Sequence, residues 1–183
     1  MGFITNLAVK RQLKRHGYTG DHGLVPLSEV KRAIVLFDVE DVEFDECQKI
    51  TEDFFAAAGI ELKPFFLDMS RHEKDEIIVT GVRTTILKRN LAFCGTLPQE
   101  IIGELKADTA GLFICLVDNC CPAVRCFSGI VPAKFCIGRR DYEGSPFGMT
   151  FTTSEQIDSI QMNFHDSVKC LKSILEYLPM VVK

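Results

Sequence analysis

The sequence predicts a three-layer α/β domain on a mostly parallel sheet of five or six strands, with a long C-terminal helix and an N-terminal helical extension. Three observations lead there. Short continuous apolar runs bounded by charges, such as residues 33–37, have the pattern of strands buried on both faces. Segments of helical periodicity alternate with these runs, which favours parallel pairing with helices on either side. The 183 residues, 46% hydrophobic and 25% charged, suffice for one well-buried core.

Residues 1–16 are predicted as a helix without an acidic side chain. Phe3, Ile4 and Leu7 form an apolar end expected to dock. Lys10, Arg11, Lys14 and Arg15 form a basic end suited to a helix C-terminus. The Gly-rich stretch 16–26 ends that helix, so residues 1–26 are an extension and 27–183 a single domain. After the first strand, Phe44, Cys47, Ile50, Phe54 and Ala58 recur at helical spacing over 43–58, and Gly59 is a stop. Residues 60–68 are a second strand, with Pro64 pointing to an edge or bulge, and 76–81 a third. Residues 82–97 fit neither period. Pro98 opens a short helix over 97–106, 110–118 is another buried strand, and Pro122 begins a helix to about 131. Strands follow at 133–138 and 147–152. In the final helix Thr153 and Gln156 form a capping box. Ile157, Ile160, Phe164, Val168, Leu171, Leu175 and Leu178 then line one face, and Pro179 is expected to end it. The whole reads as a Rossmann-like arrangement.

Several function classes lack support. The net charge of −4 offers no general basic footprint, so nucleic acid is not an expected partner. No apolar stretch approaches the roughly 20 residues of a membrane span, and the first residues do not follow the order of a secretory signal. Asn6 stands where a myristoylation signal needs Ser or Thr. Eight cysteines in a chain with its own core and no export signal are expected as reduced thiols in the cytoplasm; Cys115 and Cys136 lie inside apolar runs. No Cys-x-x-Cys pair invites zinc. No Gly-x-Gly-x-x-Gly or Gly-Lys-Ser/Thr loop invites a nucleotide. Neither metal nor cofactor is expected.

Three predicted strands end in a carboxylate: Asp38, Asp68 and Asp118. Ligands of open α/β sheets bind beyond these ends, although Asp also caps the turns where strands exit. Arg139 and Arg140 follow another strand and suit phosphate, carboxylate or a surface ion pair. Cys120 and Cys121 sit at a predicted helix N-terminus, which lowers a thiol pKa, without a His nearby in sequence. Residues 38–53 hold eight acids against Lys49 alone, a local charge of −7. Their complementarity to the basic residues 10–15 leads to the expectation of a homo-oligomer.

The segment "IVLFDVEDV" (34–42) resembles the opening motif of haloacid-dehalogenase-type phosphatases. The resemblance implies Asp38 as a nucleophile with Mg²⁺. Glu40 replaces the second Asp, and Asp118 is followed by Asn119 where a second acid is expected. Over nearly its whole length the chain resembles a family of cytoplasmic Bacteroidetes proteins without an established activity, through "NLAVKRQLKRHGYTGDHGLVPLSEVKR" (6–32), "VLFDVED" (35–41) and "AKFCIGRR" (133–140). About 30 residues, from "AGLFICLVD" to Ile137 and Gly138, resemble the N-terminal half of heptosyltransferase-type glycosyltransferases, without the half that binds the nucleotide sugar. The expectation is a non-catalytic cytoplasmic α/β protein binding a partner or small ligand at the strand ends, through Asp38, Glu40, Asp68, Asp118, Arg139 and Arg140. The alternative is phosphoryl or glycosyl transfer using Asp38 and the neighbouring acids.

Overall fold

The strand Arg32–Asp38 (β1) lies in the middle of a sheet that is parallel throughout. Its interior residues 33–37 are no more than 1% exposed. Alternation sends Ile34 and Leu36 into one core and Ala33, Val35 and Phe37 into the other. The computed structural model describes residues 2–72, 80, 83–151 and 167–181.

The other strands are Glu61–Asp68 (β2), Thr85–Leu87 (β3), Ala110–Cys115 (β4), Ala133–Gly138 (β5) and Met149–Thr150 (β6). Their order among the described residues is β3-β2-β1-β4-β5-β6. The order reverses between β1 and β4, the arrangement that opens a crevice at the carboxyl ends of an α/β sheet. Helices Phe44–Ala57 (α2) and Ser167–Val181 (α5) cover one face. Helices Phe3–His16 (α1), Gln99–Lys106 (α3) and Pro122–Ile130 (α4) cover the other. Each core carries its own aromatic group. Phe127 lies 5.0 Å from Phe65 and 5.5 Å from Phe113 between ring centres on the α4 side. Phe66 stands 5.8 Å from Phe37 and 5.9 Å from Phe44 on the α2 side.

The predicted third strand, 76–81, lies outside the described residues apart from Thr80. β3 falls instead in the stretch that fitted neither period. Among the described residues it pairs with residues 66–68 of β2, and three residues are too few to show alternation. Pro64 lies where β2 has no pairing with β3, so its missing N–H interrupts no bond on that side. The predicted capping residues Thr153 and Gln156, with Ile157, Ile160 and Phe164, are also outside the described residues; Val168, Leu171, Leu175 and Leu178 are buried as expected. Pro179 does not end the helix: α5 continues to Val181. In the last turn the ring removes only the donor that would reach the Leu175 carbonyl, and the remaining residues complete the turn.

α1 docks by its middle and not by its apolar end. Phe3 is 83% and Ile4 62% exposed, while Val9 is buried. The Gln12 amide donates to the Leu97 carbonyl at 2.8 Å and accepts from the Leu97 N–H at 3.0 Å. Leu13 presses on Gly129 of α4, where any Cβ would come within 2.6 Å of it. A glycine gap and a strip of loop backbone form this seat, and neither shows in the periodicity of α1.

Candidate functional site

The described residues at the carboxyl ends of the strands form two groups, one beyond β1, β4 and β5 and one beyond β2 and β3. On the β1 side, Asp38 accepts the Glu40 N–H at 3.1 Å. Burial raises its pKa above the ordinary value, with Glu40 and Asp41 adding in the same direction. Asp41 is engaged three times: the Glu43 N–H donates to it at 2.9 Å, the Arg139 guanidinium reaches it at 3.2 Å, and the Ser167 hydroxyl donates to it at short range. Arg139 also donates to Ser167 at 2.6 Å, and Glu43 accepts the Val168 N–H at 3.0 Å. The acidic loop after β1 thus holds the start of α5 and Arg139 in place. Glu46 of the same acidic run meets Lys172 at 3.8 Å on the surface.

Asp118 and Arg140 form a separate exposed pair at 3.8 Å, reinforced by a 3.1 Å bond from Arg140 to the Asp118 carbonyl. The structure therefore divides the predicted arginines between two partners. Asp38 lies in electrostatic range of Arg139, but Arg139 is hydrogen-bonded to Asp41 and Ser167. Cys121 occupies the N-cap position of α4. Burial pushes both the Cys120 and Cys121 thiols up, and the charge of Asp38 adds to this at Cys121. The shift is opposite to the one expected from the helix N-terminus, because desolvation outweighs the dipole.

The β2 side is built differently. Asp68 ends β2 and is 2% exposed. The Ser70 hydroxyl donates to its Oδ1 at 2.5 Å, the Ser70 N–H at 3.2 Å, and His72 Nε2 lies 2.7 Å from its Oδ2. Burial alone would raise the Asp68 pKa, yet these donors hold it below the ordinary value. Ser70 Oγ is also 2.8 Å from His72 Nε2. Serine, histidine and aspartate so close together match the composition of a hydrolase triad, but not its geometry. In a triad the two ring nitrogens separate the roles, one facing the serine and the other the carboxylate. Here a single nitrogen faces both groups, and the serine proton is directed to the carboxylate. Ser70 closes the end of the strand and is not poised as a nucleophile.

Beside this cluster opens a cavity of about 330 Å³ lined, among the described residues, by Ser70, Arg71, His72, Leu87, Lys88 and Arg89. It lies at the carboxyl ends of two paired strands, since Asp68 and Leu87 are register partners. Of its surroundings, only Asp68 was expected from the sequence. Lys88 and Arg89 follow a strand just as Arg139 and Arg140 do, and recognising β3 would have exposed the pair. Among the described residues, no three His, Cys, Asp or Glu side chains are grouped to hold a metal ion. No described helix is long and apolar enough to cross a membrane.

No family model, curated protein or solved structure matches this chain. The geometry of the strand ends therefore carries the functional reading.

Proposed function

We propose that this protein is a non-catalytic cytoplasmic α/β protein that binds a small ligand at the carboxyl ends of β2 and β3. The observation that carries this is the 330 Å³ cavity at the end of the sheet where such folds take ligands. Ligand sites commonly span about 300–1,000 Å³, so this one suits a small metabolite. The non-catalytic reading is supported by the closed Asp68–Ser70–His72 contacts and by the upward shifts of the Cys120 and Cys121 thiols. Eight free cysteines support a reducing compartment. For transfer chemistry at Asp38, a divalent ion would need further acidic ligands. Its neighbours Asp41 and Glu43 are engaged with Arg139, Ser167 and Val168.

Thermal unfolding in the presence of small anions, neutral sugars, nucleotide sugars and Mg²⁺ tests the proposal. A ligand at about one hundred times its Kd stabilises the native state by about 2.7 kcal/mol. At roughly 2–4 °C per kcal/mol for a domain of this size, the expected rise is about 5–11 °C. The rise should be reduced in Arg89→Gln and retained in Asp38→Asn. The reverse pattern would favour chemistry at Asp38, and a panel without any shift would remove the reading.

A further inference from the structure

The outward face of α1 carries an ordered pattern that the fold of a single chain does not use. Phe3, Ile4 and Leu7 are exposed at its start, and Lys10, Arg11, Lys14 and Arg15 are exposed further along. At about 100° per residue all seven fall on one side of the helix. Val9, Gln12 and Leu13, which hold α1 to the domain, fall on the other. Single exposed apolar residues are ordinary, but three together on one helix end, continued by four cations, form a contiguous surface. Among the described residues, none of these four cations meets a carboxylate.

A surface of matching length and opposite charge lies on the other face of the sheet. The acidic run 38–53 does not contribute to it as a whole, because Asp41 and Glu43 hold Arg139 and the start of α5. The acids that remain outward are on α2: Asp45, Glu46, Glu52 and Asp53, followed by Ala56 and Ala57, all exposed. Lys49 is the one cation among them. Laid antiparallel, α1 and α2 of two copies put Leu7 and Ile4 over Ala56 and Ala57, whose small side chains permit a close approach. Lys10 and Arg11 then stand opposite Glu52 and Asp53, and Lys14 and Arg15 reach toward Asp45 and Glu46. Residues 3–15 and 45–57 each span about 18 Å at the helical rise, so the two patterns end together. The antiparallel direction also opposes the two helix dipoles. Within one chain the two helices lie on opposite faces of the sheet and cannot meet. An anionic membrane would satisfy α1 but leave the acidic face of α2 unanswered; a second copy satisfies both.

We propose that the outward face of α1 docks on the outward acidic face of α2 of a second copy, so that the protein self-associates head to tail. This is independent of the ligand-binding reading above. The two surfaces lie on opposite sheet faces, so each docking leaves one α1 and one α2 open, and assembly continues past a dimer into a ring or a chain. One helix pair falls short of the roughly 1,200–2,000 Å² of a stable interface, so the contact is weak and reversible. The test is sedimentation velocity on the full chain over a range of concentrations, at low salt and in 1 M salt, where the Debye length is about 3 Å. The mean mass should rise above that of one chain with concentration at low salt and fall back at high salt. Lys10→Glu with Arg11→Glu, and separately Glu52→Lys with Asp53→Lys, should each weaken association about tenfold, the combined scale of a few exposed ion pairs turned repulsive. Mixing the two reversed variants puts opposite charges back across the contact and should restore the mass. All four side chains are exposed, so melting temperatures should stay near the parent value and confirm intact folding. Lys134→Glu, an exposed cation on β5, should leave association unchanged. A chain that stays monomeric at every concentration in low salt would overturn the inference, as would association that neither reversed pair weakens or that mixing fails to restore. Binding of a monomeric chain to phosphatidylglycerol vesicles, lost in Lys10→Glu with Arg11→Glu, would assign the surface to a membrane and overturn the second copy as its occupant.

Discussion

Replacing Gln12 by alanine should loosen α1 from the domain by a calculable amount. The amide makes two bonds to Leu97, at 2.8 and 3.0 Å, across 85 residues of sequence. A typical intramolecular hydrogen bond contributes about 0.5–1.5 kcal/mol net, so the pair contributes about 1–3 kcal/mol. The substitution also leaves the Leu97 N–H and carbonyl without their partner beside a buried side chain, which places the cost in the upper part of that range. With a urea slope of about 2 kcal/mol per molar, the unfolding midpoint should fall by about 1 M. Amide exchange at Leu97 should accelerate in the same variant. Gln12→Glu keeps an acceptor for the N–H but has no donor for the carbonyl, so it should recover at most one bond. An unchanged midpoint together with unchanged Leu97 protection would refute the clamp.

The remaining predictions concern the cores and the titrating groups. Asp38→Asn should raise stability at neutral pH, because burial disfavours the charged carboxylate. The folded pKa lies above the unfolded one, so the wild-type chain is relieved as pH falls through the folded value; the gain should therefore shrink on the acid side. A gain that persists unchanged down to pH 3 would contradict this. Cys47, Cys115, Cys126 and Cys136, each pushed up to about 12 by burial, should resist iodoacetamide at pH 8 until the chain is unfolded. Mass spectrometry should also show Cys120 and Cys121 alkylated no faster than an unfolded peptide control, and faster labelling would restore them as reactive thiols. Phe127→Ala removes a ring packed against Phe65 and Phe113. A loss of about 3–5 kcal/mol, or roughly 6–20 °C in melting temperature, should appear by calorimetry; a loss under 1 kcal/mol would mean that the core closes around the gap.

The central strands were legible because their burial is written into local composition. Five successive apolar residues at 33–37 have no other plausible place than between two helical layers. Helices α2 and α4 were legible from period and from Pro122. β3 was not, because its burial comes from pairing with β2 and from packing, and three residues carry no period. The cavity at its end was hidden with it: Asp68 was found as a strand-end acid, whereas Lys88 and Arg89 become meaningful only once residues 85–87 are placed beside it. The acids after β1 were read as a free patch. Their actual partners, Arg139, Ser167 and Val168, lie about 98–126 positions away, beyond the reach of local pattern. The docking of α1 was misjudged for the same reason, since the gap at Gly129 belongs to another helix.

That docking has a consequence for how the chain is made. The seat of α1 consists of Leu97 and α4, so α1 has no place to rest until Leu97, 85 residues beyond Gln12, is added, and its seat is complete only once α4 has followed. At about 5–20 residues per second, the wait for Leu97 alone is roughly 4–17 s, and that for α4 is longer. During that interval a basic, partly apolar helix is unattached and open to nascent-chain chaperones, and its late arrival closes the α3–α4 face of the finished domain.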